Sequence, residues 1–219
     1  MTNAQKSLVL LSGGQDSATC LAIALQQGDV HAVGFDYGQR HRVELQAAGR
    51  LAAEAGVAFE VIELPIISQL TTNALTRHDQ VIEVKSGELP STFVDGRNMV
   101  FLTFAAIRAK QLGIQRIYSG VCQTDFSGYP DCRDVFVKSL NVTLNLAMGY
   151  DFVLDTPLMW LTKADTVRLM ANLKRLDWYR LTHTCYDGQV PPCGQCPACK
   201  LRAAGFAEAG IADPLLDAQ

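Results

Sequence analysis

The sequence predicts an α/β fold with one mostly parallel, Rossmann-like sheet of five strands and helices on both faces. Short apolar runs of strand length alternate with longer helical patterns along the 219-residue chain. This rhythm is typical of parallel sheets that are covered by helices. A Gly-Gly turn also joins the first apolar run to the first helical pattern. Ligands of such sheets bind at the carboxyl ends of the strands, so the loops there are the candidate site.

The predicted strands and helices follow each other in a regular order. The strands are predicted at residues 7–11, 32–35, 59–64, 116–119 and 152–154. The helices are predicted at residues 17–27, 43–55, 98–112, 134–148, 163–173 and 197–209. Gly56 and Gly113 follow two of these helical patterns and are expected to end them. Thr162-Lys-Ala-Asp165 resembles a capping box with Asp in the Glu position, and we expect it to open the fifth helix.

Two segments differ from the rest of the chain in polarity, one being mostly polar and the other mostly apolar. Residues 66–90 are mostly polar and show no sustained period. We expect a long excursion that is partly helical or mobile. Such a segment is either a functional lid or a plain surface insertion, and the sequence leaves both interpretations open. The helix at residues 98–112 is mostly apolar, and Phe101, Phe104 and Ile107 are predicted to lie in the core.

Composition and charge restrict the classes of function. The net charge is −3, so no basic surplus indicates direct binding of nucleic acid. No apolar run approaches the length of a transmembrane helix, and the run at residues 8–11 is too short for a signal peptide. We therefore expect a cytoplasmic protein without a membrane partner. The length fits a single domain over residues 1–219, with a cysteine-containing segment at about 181–210.

Residues 12–17, Ser-Gly-Gly-Gln-Asp-Ser, are the strongest candidate for a phosphate-binding loop. Two glycines allow close approach of the backbone to a phosphate, and the start of a helix supplies free N–H groups. Asp16 is either a helix cap or a ligand of Mg²⁺. The Gly-Lys-Ser/Thr ending of a P-loop is missing, and the glycines do not fit the dinucleotide fingerprint. A tight turn alone would explain the glycines but not all six residues in this setting.

Four of the seven cysteines form a group with intervals of seven, two and two residues: Cys185, Cys193, Cys196 and Cys199. Disulfides are not expected in so tight a group, and four thiolates favour closed tetrahedral coordination of a structural zinc. A Cys₄ iron–sulfur cluster is the competing interpretation on spacing alone. A redox pair would leave two of the cysteines unused.

The loop at residues 12–17 resembles the SGGxDS loop of the N-type ATP pyrophosphatases, and further segments resemble the 7-cyano-7-deazaguanine synthase family within that superfamily. These segments are Tyr37-Gly38-Gln39-Arg40-His41 with Glu44, Gly96-Arg97-Asn98 with Phe101-Leu102, Ser127-Gly128-Tyr129-Pro130-Asp131-Cys132-Arg133, Thr156-Pro157-Leu158, Leu161-Thr162-Lys163, and the cysteine group with Lys200-Leu201-Arg202. The resemblance extends from Leu8 to about Arg202. The chain departs from the family pattern at Asp95, where Pro is common, and at Cys122-Gln123-Thr124, where an Asn-containing stretch is common.

The resemblance implies an ATP-dependent ligase that converts 7-carboxy-7-deazaguanine and ammonium to the nitrile through adenylated acid and amide intermediates. It implies structural zinc on the cysteine group, Mg²⁺ with ATP, a homodimer, and a place in queuosine or deazapurine biosynthesis. ATP contacts are implied at Leu10, Leu11, Ser12, Gly13, Gly14, Gln15, Asp16, Ser17, Ala18, Thr19 and Cys20. Deazapurine contacts are implied at Tyr37, Gln39, Arg40, His41, Asp125, Tyr129, Asp131 and Arg133. Catalytic roles are implied for Asp16, Ser17, Arg97 and Lys163, and no residue is identified as the general base.

Two other classes of function remain open. One is a different enzyme of the same superfamily, such as a tRNA-modifying thiolase or an amidotransferase. A thiolase would use Cys122 or Cys132 to handle sulfur. The other is a nucleotide-binding sensor or partner module with a zinc site. The intact phosphate loop argues against the second class, and ATP turnover would distinguish it from an enzyme.

Overall fold

The computed structural model describes residues 5–39, 41–71, 73, 75, 89–124 and 128–216. Within these ranges five strands form one sheet in the order β3-β2-β1-β4-β5. The strands are β1 (Ser7–Leu10), β2 (Val30–Asp36), β3 (Ala58–Glu63), β4 (Arg116–Tyr118) and β5 (Val153–Asp155). Every neighbouring pair is parallel, which confirms the predicted fold class.

The strand order creates a switch point beside β1. The chain adds β2 and β3 on one side of β1 and then returns to add β4 and β5 on the other side. Val9 of β1 is therefore in register with both Ala32 of β2 and Tyr118 of β4. The connections after β1 and β4 run to helices on opposite faces of the sheet, and the crevice in which ligands of such sheets bind lies at the carboxyl ends of these strands.

Seven α-helices connect or follow the strands in the described ranges. They are α1 (Gln15–Leu25), α2 (Val43–Ala55), α3 (Ile66–Leu70), α4 (Arg97–Gln111), α5 (Asp134–Met148), α6 (Lys163–Asn172) and α7 (Pro197–Ala209). The predicted bounds of α2, α5 and α7 are confirmed. The capping box of α6 is confirmed too, because Asp165 N donates to Thr162 Oγ1 at 3.1 Å and Thr162 N donates to Asp165 Oδ2 at 3.2 Å. No helix in these ranges has both the length and the apolar content that crossing a bilayer requires.

Two hydrophobic cores lie on opposite faces of the sheet. Leu8 points into the core formed with α4 and α5, whereas its neighbour Val9 points into the core formed with α1, α2, α6 and α7. Successive strand residues face opposite sides, so the short strand β1 serves both cores. The prediction of helices on both faces is therefore confirmed.

The structure corrects the prediction about the apolar helix at residues 98–112. Phe104 and Ile107 of α4 are 38% and 45% exposed, so the prediction that both lie in the core is wrong. The buried residues of α4 are Leu102 and three alanines, whose small side chains let the helix lie close to the sheet. Phe101 does pack inward, stacking on Phe35 at 4.5 Å. The polar segment 66–90 begins with the short helix α3, in line with the expectation that the segment is partly helical, and residues 72, 74 and 76–88 lie outside the described residues.

Candidate active site

The phosphate loop, residues 12–17, joins β1 to α1 at the switch point of the sheet. Gly13 has φ +89°, and a Cβ there would lie 2.2 Å from the backbone oxygen of Glu44. A glycine is needed at this position because the first turn of α2 touches the loop. Gly14 is the N-cap of α1, and no side chain caps this helix. The free N–H groups of the first turn are therefore available to an anion.

The polar side chains of the phosphate loop contact one another and a lysine from α6. Ser17 Oγ donates to Gly14 O at 3.0 Å, and Ser12 Oγ donates to Ser17 Oγ at 3.2 Å. Lys163 Nζ donates to both carboxylate oxygens of Asp16 at 2.9 and 2.7 Å. The structure thus brings three of the four predicted catalytic residues together, and Asp16 pairs with a cation rather than capping the helix.

Gly120, just after β4, forms the opposite wall of the crevice. A Cβ at Gly120 would lie 2.9 Å from Asp16 Cβ and 3.1 Å from Ser17 N. The loops that leave β1 and β4 are therefore in direct contact at the switch point. This contact fixes the position of the first turn of α1, whose N–H groups face the crevice.

The other residues of the predicted ATP segment pack into the protein. Leu11, Gln15, Ala18, Thr19 and Cys20 are buried, and Leu10 is half-buried. The hydroxyl of Thr19 lies 2.7 Å from that of Tyr179. These buried side chains support the loop from the protein interior, whereas Ser12, Gly14 and Asp16 are its more accessible residues.

A second group of polar residues surrounds Arg97 at the start of α4, and we call Arg97, Tyr37, Glu44, Tyr129 and Tyr186 the Arg97 cluster. The guanidinium carbon of Arg97 lies 6.0 Å from the ring centre of Tyr37, whose hydroxyl it also contacts. Tyr129 contacts Tyr186 through their hydroxyls. The cluster joins the loop after β2, the first turns of α2 and α4, and the cysteine segment.

Charges in the Arg97 cluster favour an anionic ligand. Burial alone would lower the pKa of the Arg97 guanidinium, but the side chains of Tyr37, Tyr129 and Asp131 raise it above its usual value. Burial also raises the pKa of Tyr37 and of Tyr186, so both phenols stay neutral at physiological pH. Arg97 is thus a permanent cation in partly desolvated surroundings, which suits a carboxylate or a phosphate.

Glu44 is a member of the cluster that the sequence prediction did not assign to the site. Burial raises the pKa of Glu44 to about 7, although Arg97 acts in the opposite direction. Its position beside the phosphate loop depends on how α2 packs on Gly13, which no local pattern reveals. The sequence signal that could have assigned Glu44 to the site was its place in the motif that begins at Tyr37.

The other residues predicted to contact the deazapurine differ in burial and in their hydrogen-bond partners. Gln39 turns back on its own loop, where it accepts from Tyr37 N at 2.9 Å. Asp131 is buried and accepts from Asn98 N at 3.0 Å and Asn98 Nδ2 at 3.1 Å, so it anchors the start of α4. Arg133 is exposed at the start of α5.

Tyr129 and His41 both contact residues of the cysteine segment. Tyr129 is buried, and its hydroxyl lies 2.5 Å from Thr92 Oγ1. The ring of His41 packs on Gly188, where an added Cβ would lie 2.3 Å from its Cγ. The predicted residues Arg40 and Asp125 lie outside the described residues.

The four cysteines predicted to bind metal converge on one point. Their sulfur atoms all lie within 4.8 Å of one another, and Cys193 Sγ is 3.9 Å from Cys199 Sγ. Zn–S bonds of about 2.3 Å place the sulfurs of a tetrahedral site ~3.8 Å apart, so the geometry fits a zinc ion. Burial would raise the pKa of the Cys185 thiol, but the N–H groups of Cys193, Gln189 and Asp187 lower it below its usual value.

The cysteine segment is tied to the phosphate loop by a backbone hydrogen bond. His183 N, two residues before Cys185, donates to Gly13 O at 2.9 Å. His183 Nε2 pairs with Cys185 O at 3.0 Å, and both residues are buried. The metal site therefore supports the back of the phosphate loop, although its sulfurs are separate from the crevice.

Comparison with known proteins identifies both a family and a fold. The model of the family described as queuosine biosynthesis protein QueC matches residues 6–210. A structure from Methanocaldococcus jannaschii, described as a predicted subunit of tRNA methyltransferase, has a TM-score of 0.52 at 20% identity, covering 76% of this chain and 74% of that chain. The U34-tRNA thiolase NcsA of Methanococcus maripaludis, solved with its [4Fe-4S] cluster, has a TM-score of 0.48 at 15% identity, covering 94% and 66%. At 20% identity the structure from Methanocaldococcus jannaschii informs on the fold alone.

Proposed function

Because the chain belongs to the QueC family of queuosine biosynthesis proteins, we propose that it is an ATP-dependent ligase that converts 7-carboxy-7-deazaguanine and ammonia to 7-cyano-7-deazaguanine. The observation that carries the proposal is the phosphate loop at the switch point, where Lys163 holds the carboxylate of Asp16 beside the free start of α1. This arrangement offers N–H donors, hydroxyls, a cation and a metal ligand to one triphosphate.

Adenylation is the reaction that suits this arrangement. A carboxylate is a poor acyl donor, and transfer of AMP to it gives a mixed anhydride that ammonia can attack. The product amide is activated at its oxygen in the same way and then loses AMP to give the nitrile. The protein contributes mainly positioning and neutralisation of charge.

The residues divide into a nucleotide group and a substrate group. Ser12, Ser17 and the start of α1 would hold the phosphates, while Asp16 would hold Mg²⁺ and release Lys163 toward the α-phosphate. Arg97 would neutralise the substrate carboxylate or the α-phosphate. The Arg97 cluster, with the loop that contains Tyr129, would hold the deazapurine. Zinc on the four cysteines would keep the phosphate loop in place through His183 and take no part in the chemistry.

Mass spectrometry of the reaction products tests the proposal. The purified protein is incubated with ATP, Mg²⁺, ammonium and 7-carboxy-7-deazaguanine, and we expect the nitrile together with AMP and pyrophosphate. Asp16→Asn should abolish the nitrile, whereas Asp29→Asn, an exposed aspartate before β2, should not. Unchanged acid with the native protein, or ADP as the nucleotide product, would contradict the proposal.

Sulfur transfer is a second candidate that one observation favours. Cys122 and Cys132 line the same small cavity of about 70 Å³, together with Tyr129. A thiolase would need a cysteine there to carry sulfur, whereas the ligase needs none. Cys122→Ser and Cys132→Ser variants that still form the nitrile would exclude this candidate.

A further inference from the structure

Glu44 is the acidic residue of the Arg97 cluster. Among the described residues no hydrogen bond or ion pair within 4.0 Å is made by this side chain, and Arg97 acts on it only at longer range. The side chain is half-buried, so it has less access to water, and no described residue donates a hydrogen bond to it in exchange. A carboxylate in this situation is suited to a ligand that brings its own N–H groups.

The position of Glu44 places this carboxylate between the two halves of the proposed site. Its backbone oxygen packs on Gly13 of the phosphate loop, where an added Cβ would lie 2.2 Å away. Its side chain interacts with Tyr37, Tyr186 and Arg97, which belong to the substrate side. An acyl adenylate that spans the two halves would therefore have its reacting carbon near this residue.

Three other ionisable groups near the crevice have partners in the structure. Asp16 accepts from Lys163 at 2.9 and 2.7 Å, and Asp131 accepts from Asn98 at 3.0 and 3.1 Å. His183 Nε2 lies 3.0 Å from Cys185 O, behind the phosphate loop. Each of these three groups holds part of the site together, whereas Glu44 has no such role among the described residues.

Resting on the proposed ligase function, we infer that Glu44 is the general base that takes protons from the attacking nitrogen. At neutral pH ammonia is present mostly as ammonium, which has no lone pair with which to attack a carbonyl carbon. The Glu44 carboxylate would bind ammonium and accept one proton, which frees the lone pair beside the adenylate. A cation site and a base are thus combined in one side chain.

The nitrogen lone pair forms the C–N bond, and the C–O bond to AMP breaks, so that AMP leaves with the electron pair. Glu44 passes the first proton to water and is then free to accept the second, which the positively charged nitrogen loses to become a neutral amide. After the amide oxygen is adenylated, the two remaining N–H protons leave by the same route while the second C–O bond breaks and the nitrile forms.

The acidity of Glu44 fits this role. Its pKa of about 7 leaves roughly half of the carboxyl groups ionised at neutral pH, which is close to the optimum for a general base. The groups that face it are Arg97 from α4, Tyr37 after β2 and Tyr186 from the cysteine segment. Neither phenol competes for the proton, because burial raises the pKa of both.

A change of nucleophile tests the inference. Hydroxylamine is largely unprotonated at neutral pH, so it attacks an acyl adenylate without needing a base to free its lone pair. With ATP, Mg²⁺ and 7-carboxy-7-deazaguanine, Glu44→Gln should form the hydroxamate at nearly the native rate. With ammonium, the same variant should form amide and nitrile at least ~100-fold more slowly, the lower range of general-base effects. Glu54→Gln, the same change at an exposed position of α2, should leave both rates unchanged, and Glu44→Asp should recover part of the ammonium rate.

The pH dependence gives a second readout. At low ammonium concentration the native rate should rise through about pH 7 and then level off, as Glu44 ionises while ammonium is depleted only at higher pH. The residual rate of Glu44→Gln should keep rising with free ammonia. Unchanged ammonium turnover in Glu44→Gln, or equal loss of both reactions in Glu44→Gln and Glu44→Asp, would overturn the inference. Absence of hydroxamate with the native protein would instead show that the adenylation proposal is wrong.

Discussion

Lys163 Nζ donates to both carboxylate oxygens of Asp16, at 2.9 and 2.7 Å, across 147 residues of sequence. The side chains are only 13% and 26% exposed. The pair joins the start of α6 to the phosphate loop. The pair lies next to the free start of α1, so under the proposed function a bound Mg²⁺–triphosphate would compete for both side chains. The pair would then hold the site together until nucleotide replaced it.

A double variant distinguishes a role in catalysis from simple neutralisation of charge. Lys163→Met should lower turnover at least tenfold, because a lost contact worth about 1.4 kcal/mol in the transition state has that effect. Lys163→Arg keeps the charge and should lose less. If Lys163 only balances Asp16, the double variant Asp16→Asn/Lys163→Met would recover turnover relative to Lys163→Met. We expect the double variant to be folded and inactive in steady-state assays.

Ser17 offers a test of the phosphate loop that leaves charge unchanged. Its hydroxyl donates to Gly14 O at 3.0 Å, and it does not cap α1. Ser17→Ala should therefore cost about 1 kcal/mol of stability, the usual value of one hydrogen bond, while turnover falls at least tenfold. Ser139→Ala, at an exposed position of α5, serves as the control. Near-native turnover in folded Ser17→Ala would show that the loop has only a structural role.

The cysteine group should contain zinc, and its loss should weaken ATP binding. Metal analysis is expected to give about one zinc per chain and no iron, since a closed Cys₄ site fits one ion. Cys196→Ser or a chelator should lower the melting temperature, because binding of metal is coupled to folding. The KM for ATP should rise as well, since His183 donates to Gly13 of the phosphate loop at 2.9 Å. Cys132→Ser should keep its zinc, and a visible charge-transfer band in the native protein would indicate an iron–sulfur cluster instead.

Glu44 should reduce stability at neutral pH. The pKa of this carboxyl is about 7 in the folded protein and near 4.3 in an unfolded chain, so folding favours the protonated form. The stability that protonation provides is present at low pH and is lost as pH rises through about 7. Glu44→Gln cannot ionise, so it does not lose this stability as pH rises. The melting temperature of the variant should therefore exceed that of the native protein by more at about pH 8 than at about pH 5.

Differential scanning calorimetry at the two pH values measures this effect. For chains of 150–250 residues each kcal/mol of relieved cost corresponds to about 2–4 °C. Glu54→Gln should show no difference that depends on pH in this range. A lower melting temperature for Glu44→Gln at both pH values would mean that the carboxylate stabilises the fold.

The sequence predicted the elements that depend on local signals. The end of α2 follows from Gly56, which has a positive φ as expected for a glycine that ends a helix. The residues of the phosphate loop are contiguous in sequence, and those of the cysteine group lie close together, so the chemistry of each can be recognised without a structure. The capping box at Thr162 likewise requires only four residues.

Features that depend on packing between distant segments were not predictable in this way. Phe104 and Ile107 are apolar, yet alanines on the other side of α4 pack on the sheet instead. Glu44 reaches the site only because α2 packs on Gly13, and Tyr186 reaches it from the far end of the chain. Pairings such as Lys163 with Asp16 are set by the order of the strands, which the sequence does not display.

The most direct test of the central claim, transfer of AMP to a carboxylate at this phosphate loop, is to follow oxygen from the substrate. The protein is incubated with ATP, Mg²⁺, ammonium and 7-carboxy-7-deazaguanine whose carboxyl group carries ¹⁸O in both positions. Adenylation of the acid and then of the amide predicts that each AMP gains one ¹⁸O while the pyrophosphate gains none. Unlabelled AMP, or ¹⁸O in phosphate released with ADP, would contradict the account.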